Sequence, residues 1–180
     1  MKRTELEESI KLAEEKIEFY KQSLQDMRKQ LKALDQQEKE REKYVSSKEI
    51  VDLIFKHTGK KVNMSTIKRW ADEGYLGEVV EEREKFWALH TKQGKKRFLY
   101  PKVLSYQFLH EKGYLKPDYE VLDRVEVTKP GASPLIGIII DSSLNQDAFE
   151  YTLQIEGSFD IVTNVHEKWM KKTDQEVDEE

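Results

Sequence analysis

Cysteine is missing from all 180 residues, which excludes disulfides and thiolate metal sites and fits a reducing, cytoplasmic setting. Also missing is any apolar run near the roughly 20 residues that a membrane-crossing helix requires, and the first residues do not have the pattern of a signal peptide. With 37% hydrophobic residues, the expectation is a soluble protein of one or two small globular units plus an extension. There is no glycine-rich phosphate loop. The four histidines, His57, His90, His110 and His166, lie in separate segments without HxxxH or HxxE spacing, so no metal site, cofactor or catalytic residue is expected, and the chain does not read as an enzyme. The acidic runs at 81–84 and 174–180 read as solvated charge on a loop and a tail.

The net charge of −4 is unevenly distributed. Residues 1–43 carry 11 Lys/Arg against 11 Asp/Glu, residues 44–117 carry 15 against 9, and residues 118–180 carry 5 against 15. The segments are therefore neutral, +6 and −10. Only the middle one has the positive balance that phosphate neutralisation needs.

The first segment holds the most regular periodicity. Leu6, Ile10, Ala13, Ile17, Tyr20, Leu24, Met27, Leu31 and Leu34 alternate four and three apart with no glycine or proline between them, which is the heptad pattern of a coiled coil. Such a narrow seam on a charged helix needs a partner helix. With Ile10, Ile17, Leu24 and Leu31 at a positions, an antiparallel homodimer pairs Glu7 with Arg28′ and Glu14 with Lys21′, whereas a parallel one opposes Lys16 to Lys21′. The charges favour antiparallel, each pair contributing only tenths of a kcal/mol; packing of this helix on its own chain is the alternative. Charge at Glu38 and Arg41 ends the seam near Leu34 and makes 38–43 a solvated helical lead-in.

Two short capped helices follow. Ser46 with Glu49 forms a capping box, and Val45 can staple to Ile50. Ile50, Leu53, Ile54 and His57 then share one face, and Gly59 is placed as a left-handed stop. Asn63 can cap the second helix, where Ile67, Trp70 and Ala71 form the apolar stripe and Gly74 ends the run. Ser65, Thr66, Lys68 and Arg69 lie off that stripe. Ile67, Trp70 and Phe98 read as core.

Two short helices joined by a tight turn, the second carrying hydroxyls and paired cations near its start, suit entry into a DNA major groove. The stretches Ser-Ser-Lys-Glu-Ile at 46–50, Ser-Thr-Ile-Lys-Arg-Trp-Ala-Asp-Glu-Gly-Tyr-Leu at 65–76 and Gly-Lys-Lys-Arg-Phe-Leu-Tyr-Pro at 94–101 resemble the winged helix-turn-helix of MerR-type regulators and phage excisionases. That resemblance implies groove contacts from Ser65, Thr66, Lys68 and Arg69, backbone contacts from Lys95, Lys96 and Arg97 on a wing, and a transcriptional or recombination regulator of a phage or mobile element. The chain departs from the family in the length of the wing, 77–93, and in the acidic run Glu81-Glu82-Arg83-Glu84 within it.

Tyr100-Pro101 opens a third helix with apolar Val103, Leu104, Phe108 and Leu109, ended by Gly113. Beyond Lys116-Pro117-Asp118 the period changes to two. Val125 and Val127, Leu135 to Ile140, Phe149 to Ile155, and Phe159 to Thr163 read as strands, with turns at 129–134, 145–147 and 156–157. Several short strands without a helix resemble a small SH3-like or Tudor-like barrel, whose acidity suits a protein partner better than phosphate.

The expected organisation is α+β: a coiled-coil dimerisation helix at 1–43, using Leu6, Ile10, Ile17, Tyr20, Leu24, Met27, Leu31 and Leu34; a winged helix-turn-helix at 44–116; a β-barrel at 117–172; and a disordered acidic tail at 173–180. The function expected is sequence-specific binding of double-stranded DNA. The alternative is a protein-interaction factor, an inhibitor or adaptor, acting through the acidic barrel and the long wing.

Overall fold

The computed structural model describes residues 2–89 and 94–173. His90 and the acidic run 174–180 lie outside the described residues. The protein is mixed α+β, with a long N-terminal helix and two antiparallel sheets. Its chain divides into two compact units, Met1–Tyr44 with Val80–Leu99, and Val45–Val79 with Tyr100–Glu180.

In the first unit, α1 (Arg3–Arg41) runs 39 residues without a break. At 1.5 Å per residue it is about 58 Å long. Surface pairs of (i, i+4) type such as Arg3 with Glu7, 2.9 Å apart, support it locally, and no residue of it is buried. The helix continues through Glu38 and Arg41, where the sequence reading placed a solvated lead-in, and that end is only partly solvated. Gln37 Oε1 accepts the Ala88 N–H at 2.8 Å, Glu40 pairs with Lys85 at 3.2 Å, and Arg41 Nε donates to Glu82 at 3.0 Å.

The described part of the stretch 77–93 is therefore not a solvated acidic loop. It comprises β2 (Val80–Glu81), the single turn α4 (Glu82–Lys85) and a 3₁₀ turn at Trp87–Leu89 before β3 (Phe98–Pro101), with Val80 opposite Leu99 and Glu81 opposite Phe98. Glu81 caps α4 by accepting the Arg83 and Glu84 N–H groups. Glu82 is buried, and a buried carboxylate needs a charged partner, which Arg41 provides while also donating to the Tyr44 carbonyl at 2.9 Å. Phe86 and Leu99 are fully buried, and Tyr44 meets Phe86 edge to face at 5.7 Å. Lys85 lies over the Tyr44 ring; its hydrogen bonds with Tyr44 and then Glu40 hold its ammonium above the usual lysine range.

The second unit starts from the predicted caps. Ser46, at the end of β1 (Tyr44–Ser46), forms a reciprocal capping box with Glu49 at the head of α2 (Ser47–Thr58), and Gly59 stops that helix at φ 68°. Then α3 (Met64–Asp72) follows Asn63, which holds the cap position without a side-chain hydrogen bond. Gly77 has φ 79°, and a Cβ there would meet Leu104 Cδ1 at 2.6 Å, so the turn after α3 favours glycine. Pro101 stands in the N-cap position of α5 (Lys102–Glu111), just ahead of its first turn.

Five strands complete the unit: β4 (Arg124–Val127), β5 (Leu135–Asn145), β6 (Ala148–Ile155), β7 (Ile161–His166) and β8 (Met170–Lys172), in the order β7-β6-β5-β4-β8. The expected closed barrel is corrected to an open sheet, because β7 pairs with β6 at one edge and the three-residue β8 pairs with β4 at the other. The strand expected at 135–140 extends to Asn145, with a register shift between Ile139 and Asp141, and Gln146 turns the hairpin at φ 57°.

One apolar cluster joins the three helices to this sheet. It runs from Ile50, Ile54, Ile67 and Trp70 through Phe108, Leu109 and Leu115 to Phe149, Tyr151, Leu153 and Val165. His110 against Phe149, with ring centres 5.2 Å apart, and Lys102 against Asp147, at 3.6 Å, tie α5 to the β5–β6 hairpin.

Candidate nucleic-acid surface

The fixed side of α3 is its apolar stripe. Ile67 is fully buried, and Trp70 packs against Phe108 at 5.2 Å and Tyr114 at 5.4 Å. Just after the helix, Tyr75 donates its N–H to the Trp70 carbonyl at 3.0 Å and stacks on Phe108 at 5.0 Å. A nine-residue helix has little stability of its own, so this aromatic clamp is what orients it.

That clamp determines which side of α3 faces solvent. Ser65, Lys68 and Arg69, at i, i+3 and i+4, are exposed together on one face, and Thr66 beside them is half-buried. Among the described residues Lys68 and Arg69 have no ion pair or side-chain hydrogen bond. Lys60 and Lys61, in the connection leading into α3, are also exposed. A helix face with a hydroxyl, an ammonium and a guanidinium can donate hydrogen bonds to phosphates and to the acceptor edge of guanine.

Lys95, Lys96 and Arg97 belong to the other unit. They occupy an exposed segment without regular structure that leads into β3. Phe98 is 51% exposed, not core as the sequence reading had it: on a strand neighbouring side chains point to opposite faces, and the inward place is taken by Leu99.

The seam residues Leu6, Ile10, Ile17, Tyr20, Leu24, Met27 and Leu31 are all exposed, and Leu34 is half-buried. Leu12 and Phe19, 57% and 70% exposed, are further apolar residues outside the a and d positions; their spacing of seven was the signal that could have singled them out.

Among the described residues no group of three or more His, Cys, Asp or Glu side chains could hold a metal ion. Among the described histidines, His110 Nδ1 lies 3.1 Å from the Leu115 carbonyl, and the His166 ring accepts the Lys168 N–H. His57 lines a cleft of about 240 Å³ with Leu53, Tyr106, Asp147, Phe149 and Glu167. Burial pushes the Tyr106 hydroxyl up, and burial followed by the hydrogen bond to Glu167 raises that of Tyr151 further, so both stay protonated near neutrality.

Comparison with protein-family models, curated proteins and solved structures finds no match to this chain. No helix among the described residues is long and apolar enough to cross a membrane.

Proposed function

We propose that the chain is a sequence-specific, dimeric binder of double-stranded DNA, a regulator built on a winged helix-turn-helix with an SH3-like C-terminal sheet. The observation that carries this reading is the exposed face of α3, where Ser65, Lys68 and Arg69 stand opposite the clamped Ile67 and Trp70. In this account α3 enters the major groove, with Arg69 reading a guanine and Lys68 and Ser65 supporting it. Lys95, Lys96 and Arg97 add sequence-independent attraction to phosphate. The uncovered seam of α1 pairs with that of a second copy and sets the distance between two half-sites.

The SH3-like reading of residues 117–172 rests on the strand order β7-β6-β5-β4-β8 of an open sheet, with a long bent second strand and a 3₁₀ turn before the last. Selection of duplexes from a random pool, followed by gel shifts of the enriched sequence against a scrambled one, tests the function. An enriched motif bound more tightly than its scramble is expected. Enrichment of nothing would favour the second reading, a protein-interaction factor, which rests on the exposed Ile136, Ile138 and Ile140 of the acidic sheet.

A further inference from the structure

The apolar side of α1 is not uniform along its length. From Leu24 to Leu34 it is a narrow line of a and d residues. Between Leu6 and Tyr20 it widens, because Leu12 and Phe19 occupy c positions beside the d positions Ala13 and Tyr20. At 100° per residue, the c, d and a positions span an arc of about 160°, against about 60° for the a and d positions alone. The Phe19 ring meets the Tyr20 ring edge to face at 5.7 Å, so the two lines touch at that level. The widening is one-sided. The g positions between the lines are Ser9, Lys16 and Ser23, small or singly charged, whereas the opposite flank carries Glu7, Glu14, Lys21 and Arg28.

Leu12 is 57% exposed and Phe19 70%, and among the described residues of this unit the contacts with α1 by Ala88, Lys85 and Glu82 fall near its far end, around Gln37 to Arg41. A two-stranded coil would bury the a and d line and leave Leu12 and Phe19 in water on both helices. A stripe wider than the two-stranded seam fits a helix with two helical neighbours. The e-position charges favour antiparallel pairing, which brings helices together in twos and makes the next closed assembly a pair of pairs.

We propose that the N-terminal half of α1 is a four-helix assembly surface, in which two antiparallel α1 pairs pack against each other through Leu12 and Phe19, and that the occupant of this surface is further copies of the same chain. The inference rests on the dimer reading above. A tetramer carries four α3 helices, enough to hold two separate duplexes at once.

Sedimentation equilibrium of the full chain over a dilution series tests this. The wild type is expected at four times the chain mass of 21.3 kDa, the double variant Leu12→Glu/Phe19→Glu at twice that mass, and Ile17→Glu/Leu24→Glu at the chain mass. Far-ultraviolet circular dichroism and thermal melting of each variant check that the second unit, which contains none of these residues, stays folded. A wild type at twice the chain mass, unchanged by Leu12→Glu/Phe19→Glu, would overturn the four-helix surface and leave the dimer standing. A wild type at the chain mass would overturn both.

Discussion

Two amphipathic helices of this protein use their apolar sides in opposite ways. In α3, Ile67 and Trp70 are consumed within the chain, gripped by the rings of Phe108 and Tyr114, and the polar side is left outward. In α1, 39 residues long, no residue is buried and a row of leucines and isoleucines faces solvent. On the proposed reading the contrast divides recognition between them. A helix whose apolar side is satisfied internally leaves its charge free for a polar partner, whereas a helix whose apolar side is unsatisfied leaves that side open to another helix.

The sharpest way to break the comparison is to remove the grip on α3. Trp70→Ala should cost roughly 3–5 kcal/mol, as expected for a large buried aromatic, and lower the urea midpoint of the second unit accordingly. Ile17→Ala in α1 should leave the stability of that unit within about 0.5 kcal/mol of wild type and change assembly mass instead, since Ile17 is 54% exposed.

A smaller effect separates the two ends of α1. Arg41→Ala removes the ion pair that Arg41 makes with the Glu82 carboxylate. The cost should be about 2 kcal/mol, below the 3–5 kcal/mol of a fully buried pair because Arg41 is 24% exposed. Faster hydrogen exchange at 80–89, with α3 unaffected, is the expected signature.

On the recognition side, Arg69→Ala should lose about 1–3 kcal/mol of discrimination at one base pair while keeping binding to random DNA. Lys96→Ala should weaken specific and random duplexes alike and lower the salt slope by about one. Competition titrations at several salt concentrations distinguish the two roles.

The smallest effect concerns pH. The Lys172 ammonium and then the Glu120 N–H hold the Asp123 carboxyl below its ordinary value. A depressed carboxyl contributes stability above its unfolded value near ~3.9 and loses it as pH falls through the folded value. Asp123→Asn should therefore destabilise by a few tenths of a kcal/mol at pH 7, since Lys172 is 63% exposed, and the difference from wild type should shrink as pH falls through the lowered value of the folded carboxyl.

What could be read from the sequence follows the range over which the physics acts. The Ser46 and Glu49 capping box, the Gly59 stop and the Ile67 and Trp70 stripe are signals within a few residues, and each stands where the sequence placed it. The sequence alone makes Glu82 look solvated because its partner, Arg41, is 41 positions away, and nothing local distinguishes a paired carboxylate from a free one. The open sheet eluded the sequence for the same reason: alternation marks strands but does not say which edges meet, and the three-residue β8 is too short to show any alternation. For the candidate site, side-chain spacing sufficed to put Ser65, Lys68 and Arg69 on one face. The exposure of Phe98 depended on which strand face the core took.

The central claim, that the outward face of α3 reads a major groove, is tested most directly by methylation interference on a selected duplex. The wild type is predicted to be blocked by methylation at N7 of at least one guanine, and that interference should disappear for Arg69→Ala while the remaining pattern persists. An interference pattern identical in wild type and Arg69→Ala, or confined to minor-groove adenines, would contradict the account.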